Sequence, residues 1–205
     1  RGEGVSGAVL DEYADMHEET WPEAVRPSLA DVKGWALFMD CDMMMLTNVA
    51  RLFDGLDRSK AVYCVKHKHT KGPKTKMDGQ LQTFYVRKNW SSFMIFNCDH
   101  PSNRLLTVEA VNTLPGRDLH RFCWLKDHEI GGLDQEWNFL VGVTDPEVDA
   151  SLVHFTSGGP WFGPPYVDVP YGREWLALRR LWLSGKVPLT TPKPYANGHT
   201  HEVHA

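Results

Sequence analysis

Apolar residues are unevenly spaced along this chain, and their period changes several times. Residues 35–39, Trp-Ala-Leu-Phe-Met, form an unbroken apolar run after Gly34, the pattern of a strand buried on both faces. Similar runs predict strands at 61–65, 93–96 and 151–155. Between them the spacing is helical. Thr47 is placed to cap a short helix through Val49, Leu52 and Phe53, and Thr107 to cap one carrying Val108, Val111 and Leu114 before Pro115-Gly116 stops it. Residues 119–125 read as a further helical turn or two. Over 173–183, Trp175, Leu178 and Trp182 share one face of an amphipathic helix that ends at Gly185. Strands alternating with helices predict an α/β layered domain with a mainly parallel, or mixed, central sheet.

Both ends depart from this texture. Residues 1–33 are acidic and carry Pro22 and Pro27, so they predict one helix over 9–19 and then a broken loop. Residues 186–205 are rich in Pro, Thr and His and predict a disordered tail. The layered domain is therefore expected at 34–185, after an atypical segment at 1–33. A length of 205 residues with 42% hydrophobic content suits one such domain.

Charge and cysteine usage narrow the function classes. A net charge of −4 argues against nucleic-acid binding. No apolar run is long enough to span a bilayer, and the first thirty residues lack the apolar core of a signal peptide. Cys41, Cys64, Cys98 and Cys123 are scattered without a Cys-x-x-Cys pair, which fits free thiols in a reducing compartment. The expected location is cytoplasmic.

The most informative chemistry follows the first apolar run. Asp40-Cys41-Asp42 places two carboxylates two residues apart, and in extended backbone such residues point to the same side. Asp40 and Asp42 are then expected to converge beyond the strand, with Cys41 turned into the core. An acid-x-acid pair is by itself common, and more often caps a helix or sits in solvent. Here apolar residues flank it on both sides, where unpaired carboxylates are costly. Two hard oxygen donors at a strand end suit Mg(II) or Mn(II), which could also bridge a diphosphate. A second strand ends at His154 and runs into Ser157-Gly158-Gly159-Pro160-Trp161. Imidazole is acceptable to Mn(II) and less natural for Mg(II), and glycines let backbone N–H groups approach phosphate oxygens. Alone, such a histidine is more often a hydrogen-bonded residue of the strand end.

The segments FMDCDMMMLTNVARLFD, SSFMIFN, GGLDQEWNFL and HFTSGGPWF, in this order, resemble GT-A-fold glycosyltransferases, most of all the family 8-like group. The resemblance covers roughly residues 33–175 and implies a three-layer, Rossmann-like GT-A domain. It implies that Asp40, Asp42 and His154 ligate Mn(II) or Mg(II) against the diphosphate of a nucleotide-sugar, most naturally a UDP-sugar. Gly158 and Gly159 would lie against the phosphates. Asp134 and Gln135 match the Asp-Gln pair near the donor sugar, although Asp134 reads equally well as the N-cap of a helix opening at Gln135. Asn97 would be a further sugar or acceptor contact; Trp161 and Trp137 could stack on sugar faces, although core packing is the commoner role of such tryptophans.

The implied reaction is transfer of a hexose to a glycan or lipid acceptor with retention of anomeric configuration. Residues 1–33 do not look like the family's first strand and base pocket. The domain is therefore expected to be incomplete at its amino terminus, with an open edge beside the Asp40 strand. That expectation leaves a second reading, a degenerate, non-catalytic remnant acting as a binding module. A phosphohydrolase is disfavoured because no second acid or histidine cluster offers a second metal site.

Two other clusters carry less. Lys66, Lys68, Lys71, Lys74 and Lys76, with His67 and His69, read first as a solvated loop and second as a lid for anionic ligands. The tail's His-Glu-Val-His lacks the spacing that puts two histidines on one helical face.

Overall fold

The computed structural model describes residues 32–68, 87 and 89–185. Seven strands occur among them: β1 Trp35–Met39, β2 Met43–Met45, β3 Val62–Val65, β4 Phe93–Asn97, β5 Ile130–Leu133, β6 Phe139–Leu140 and β7 Leu152–His154. Three are α-helices: α1 Val108–Thr113, α2 Gly116–His120 and α3 Gly172–Leu183. The four strands expected from apolar runs are present. The short β2, β5 and β6 have no counterpart among the expected elements.

The strands form two sheets, one ordered β1-β4-β3-β5 and one ordered β2-β7-β6. β4 runs antiparallel to both β1 and β3, while β5 is parallel to β3. β7 is antiparallel to β2 and parallel to β6. Both sheets are therefore mixed, with antiparallel pairs prevailing over the mainly parallel arrangement. Among the described residues, β1 has a strand partner on one side only.

Side chains alternate between the two faces of the larger sheet, both of which are packed. Met94 and Phe96 of β4 join Val62 and Cys64 of β3 under α1 and α2, where Val111, Leu119 and Phe122 close the core. Burial pushes the Cys64 thiol up to about 12, so it packs as a small apolar side chain. Phe93 and Ile95 face the other way, onto Val65, Leu52, Trp137 and Leu152. Helices thus cover one face of the larger sheet, and the smaller sheet with short 3-10 turns covers the other. That makes three layers with helices on one side only.

The helix signals hold in part. Thr107 caps α1, its side chain accepting from Ala110 N. After β2 the cap is Asn48 rather than Thr47, and the element is a 3-10 turn, Val49–Leu52. The helix expected at 119–125 lies earlier, at Gly116–His120, and gives way to turns.

The chain divides into two compact units, one ending at Gly159 and one beginning at Pro160, where the sequence reads as one domain over 34–185. The second unit holds 3-10 turns at Pro160–Phe162 and Tyr166–Asp168, followed by α3. Residues 1–31 of the atypical segment at 1–33, the tail at 186–205 and Lys71, Lys74, Lys76 and His69 of the basic loop lie outside the described residues. No helix among the described residues is long and apolar enough to cross a membrane.

One glycine in β5 answers to packing. Gly131 pairs with Tyr63 across the parallel ladder, and a Cβ there would meet the Tyr63 ring at 2.3 Å. The Tyr63 hydroxyl accepts from Asp57 N at 2.8 Å, which holds the ring in place. Gly131→Ala is therefore expected to destabilise the protein by about 1–3 kcal/mol, read as a lower urea midpoint. Gly132→Ala should be close to neutral, since its nearest neighbour is the flexible Lys66 side chain at 4.0 Å.

Candidate metal centre

The corner between the two sheets carries the acid pair. Asp40 N donates to Ser92 O at 2.9 Å, continuing the β1–β4 ladder by one bond. Phe155 N donates to Asp42 O at 3.0 Å, which extends the β2–β7 ladder in the same way. Asp40 thus closes one sheet and Asp42 opens the other, with Cys41 alone between them. The backbone at Cys41-Asp42 is a turn, not an extended strand. That corrects the expected route to convergence, and it corrects Cys41, which the turn swings outward so that it is exposed.

His154 ends β7 opposite Met43, and its side chain is 4% exposed. Its Nε2 lies 3.3 Å from Asp42 Oδ1 and 4.0 Å from Asp40 Oδ2. Each of the three residues offers a ligand atom, and these atoms all lie within 4.8 Å of one another. The structure therefore brings together the three residues singled out as metal ligands, from strands far apart in sequence.

Electrostatics makes this a demanding arrangement. Two carboxylates at such a separation repel by roughly 3 kcal/mol at an effective dielectric constant near 20. Their side chains are 22% and 30% exposed, so water relieves that repulsion only in part. Asp42 Oδ1 is buried and has no hydrogen-bond partner, a costly state for a charged oxygen. A cation bound between the three groups would satisfy that oxygen and offset the repulsion. Carboxylate oxygens with one imidazole nitrogen form a donor set for Mn(II), with Mg(II) the harder alternative. The residues fit a divalent ion.

Behind His154 stands a residue that sequence reasoning passed over. Asn138 is fully buried, and its Oδ1 lies 3.0 Å from His154 Nδ1. It lies within GGLDQEWNFL, four residues after Asp134. No sequence spacing marks it, because its partner is on another strand.

Strand direction decides where the remaining candidates fall. β1, β3 and β5 all run the same way, so Asp134, just after β5, lies on the sheet edge that carries Asp40. It occupies the N-cap position of the 3-10 turn Gln135–Asn138, yet its side chain makes no capping bond. Asp134 and Gln135 are both exposed. Four residues of 3-10 rise, about 8 Å, separate Asp134 from Asn138.

Asn97 is a correction. β4 runs against β1, which pairs Asn97 with Trp35 at the far end of the sheet. There it is buried, and its Nδ2 donates to Arg58 O and Lys60 O at 3.0 and 3.1 Å. It is a structural residue of that edge. Gly158 has φ +106, a conformation that favours glycine. Its N–H already closes a turn onto Phe155 O at 2.8 Å, while the neighbouring Gly159 is buried. Trp161 belongs to the second unit, where its ring packs 5.5 Å from that of Trp175.

No family model matches the chain. It is 44% identical over 164 residues to "Protein CDI" of Arabidopsis thaliana, a match covering 78% of this chain and 63% of that protein. The chain thus spans less than two thirds of its relative's length. Among solved structures it is similar to the bifunctional glycosyltransferase WbbM, at 15% identity over 80% of this chain and 38% of that one, with a TM-score of 0.49. The glycosyltransferase GlyE of Streptococcus pneumoniae gives 13% identity over 82% of this chain and 46% of that one, also with a TM-score of 0.49. An active-site mutant of LgtC gives 17% identity over 80% of this chain and 65% of that one, with a TM-score of 0.44. At these scores the functional reading rests on the geometry of Asp40, Asp42 and His154.

Proposed function

We propose that this chain is a metal-dependent glycosyltransferase, in which Asp40, Asp42 and His154 hold Mn(II) or Mg(II) against the diphosphate of a nucleotide-sugar. The observation that supports it is the convergence of two carboxylates and an imidazole, their ligand atoms within 4.8 Å of one another, with one buried carboxylate oxygen lacking a hydrogen-bond partner. The ion, when bound, would stabilise the departing nucleoside diphosphate as a Lewis acid. Asp134, exposed at the same sheet edge and free of capping duty, would accept hydrogen bonds from donor-sugar hydroxyls. Gln135 would turn its side-chain oxygen towards positive charge developing at the anomeric carbon. In front-face transfer the bond from that carbon to the phosphate oxygen breaks as the acceptor oxygen bonds to the same carbon. The acceptor's proton passes to the departing phosphate oxygen, so retention needs no protein base. The donor is read as a UDP-hexose and the acceptor as a glycan or lipid.

Product analysis tests this. The 205-residue chain incubated with Mn(II), UDP-hexoses and glycan or glycolipid acceptors is expected to form a glycoside of unchanged anomeric configuration. EDTA should abolish transfer, and excess Mn(II) should restore it. Nucleotide binding without turnover would favour the non-catalytic binding module, and release of inorganic phosphate would favour a hydrolase.

A further inference from the structure

The buried chain behind His154 has a direction, and one backbone group sets it. Asn138 Nδ2 lies 2.9 Å from Ser92 Oγ and 3.3 Å from the carbonyl oxygen of Asn89. Ser92 Oγ itself donates to that same carbonyl at 2.8 Å. A carbonyl oxygen can only accept, so the amide of Asn138 must present its NH2 to Asn89. Ser92, having spent its proton on the carbonyl, accepts the other amide hydrogen. The amide orientation is then determined, and Oδ1 faces His154. Because Oδ1 is an acceptor, the proton of His154 must sit on Nδ1. The remaining ring nitrogen, Nε2, is the atom turned towards Asp40 and Asp42.

We infer that Asn138 is a positioning residue that fixes the His154 proton on Nδ1 and so presents Nε2 as a bare ligand atom to the metal site. The inference rests on the proposed metal centre and adds the element that prepares it. Both residues are buried, Asn138 at 0% and His154 at 3% exposed, so water does not supply a substitute acceptor. With the proton on Nε2 instead, the imidazole would donate to Asp42 and close the site to a cation. Partners of this kind, behind a ligating histidine, typically change metal affinity by about 10–100-fold when removed.

Two measurements test it on the wild-type chain, Asn138→Leu and Asn138→Asp. In the metal-free protein at alkaline pH, 15N NMR of the histidine side chains reports which ring nitrogen carries the proton, with His154→Gln identifying the signal. Mn(II) binding is read by EPR of the free ion, without nucleotide. The wild type is expected to hold the proton on Nδ1. Asn138→Leu should lose that preference and bind Mn(II) about 10–100-fold more weakly. Asn138→Asp keeps an acceptor towards Nδ1, with Ser92 Oγ turning its proton onto the second oxygen, so it should retain the Nδ1 proton and bind Mn(II) more tightly than Asn138→Leu.

A wild-type proton on Nε2 would overturn the inference whether or not the variants fold. So would Asn138→Leu protein that binds Mn(II) as tightly as wild type, leaving the metal centre intact. A wild type that binds no Mn(II) overturns the metal centre itself, and the inference with it.

Discussion

Asp42→Asn is expected to lower Mn(II) affinity by at least about 100-fold, the upper end of what loss of a mere supporting partner costs. The substitution keeps the side-chain shape and replaces a charged ligand oxygen with an amide. Its effect on stability should have the opposite sign. Without metal, Asp42 repels Asp40 and carries a buried oxygen without a hydrogen-bond partner. Removing that charge should leave the metal-free protein as stable as before, or more stable by about 0.5–1 kcal/mol after allowing for solvent screening. Calorimetric Mn(II) titration and urea unfolding in EDTA read the two effects separately. Weaker binding with undiminished stability is the signature of a functional carboxylate, since such sites hold strain that folding alone would not select. Unchanged Mn(II) affinity, with lower stability, would make Asp42 a structural residue of the corner.

Phe93→Ala should have the largest effect on stability. Phe93 is fully buried and pairs with Met39 on the last rung of β1 before Asp40. Its ring fills the layer between the two sheets, among Leu52, Val65, Trp137 and Leu152. Truncating a buried phenylalanine costs about 3–5 kcal/mol, because lost burial adds to the cavity left behind. Against a total stability of about 5–15 kcal/mol, that is a large fraction. A fall in Tm on the order of 10 °C is expected. A change of only a degree or two would mean that the layer between the sheets is not packed around this ring.

The parts of the molecule legible from sequence were those in which the signal lies within a few residues. The Trp35–Met39 run announces a strand buried on both faces, and the acids that follow it stand at its end. His154 could be placed at a strand end by the same logic. Thr107 is a cap because its bond to Ala110 N is local. Strand direction, by contrast, leaves no local mark. Nothing in SSFMIFN says that β4 runs against β1, and that reversal carries Asn97 to the opposite edge. The turn at Cys41 is similarly hidden, because it arises from a change of sheet. β2, β5 and β6 are too short for a period to show, and the reason for Gly131 in β5 is the Tyr63 ring across the ladder. Asn138 could not have been found by spacing, since its partners are Asn89, Ser92 and His154.

Pulsed EPR of the Mn(II)-loaded chain tests the central claim most directly, because it counts ligand nuclei around the ion. With 15N-labelled histidine, the spectrum should show coupling to one imidazole nitrogen, and that coupling should vanish in His154→Ala. A bound Mn(II) with no histidine coupling, or with a coupling that survives His154→Ala, would place the ion elsewhere and contradict the Asp40–Asp42–His154 centre.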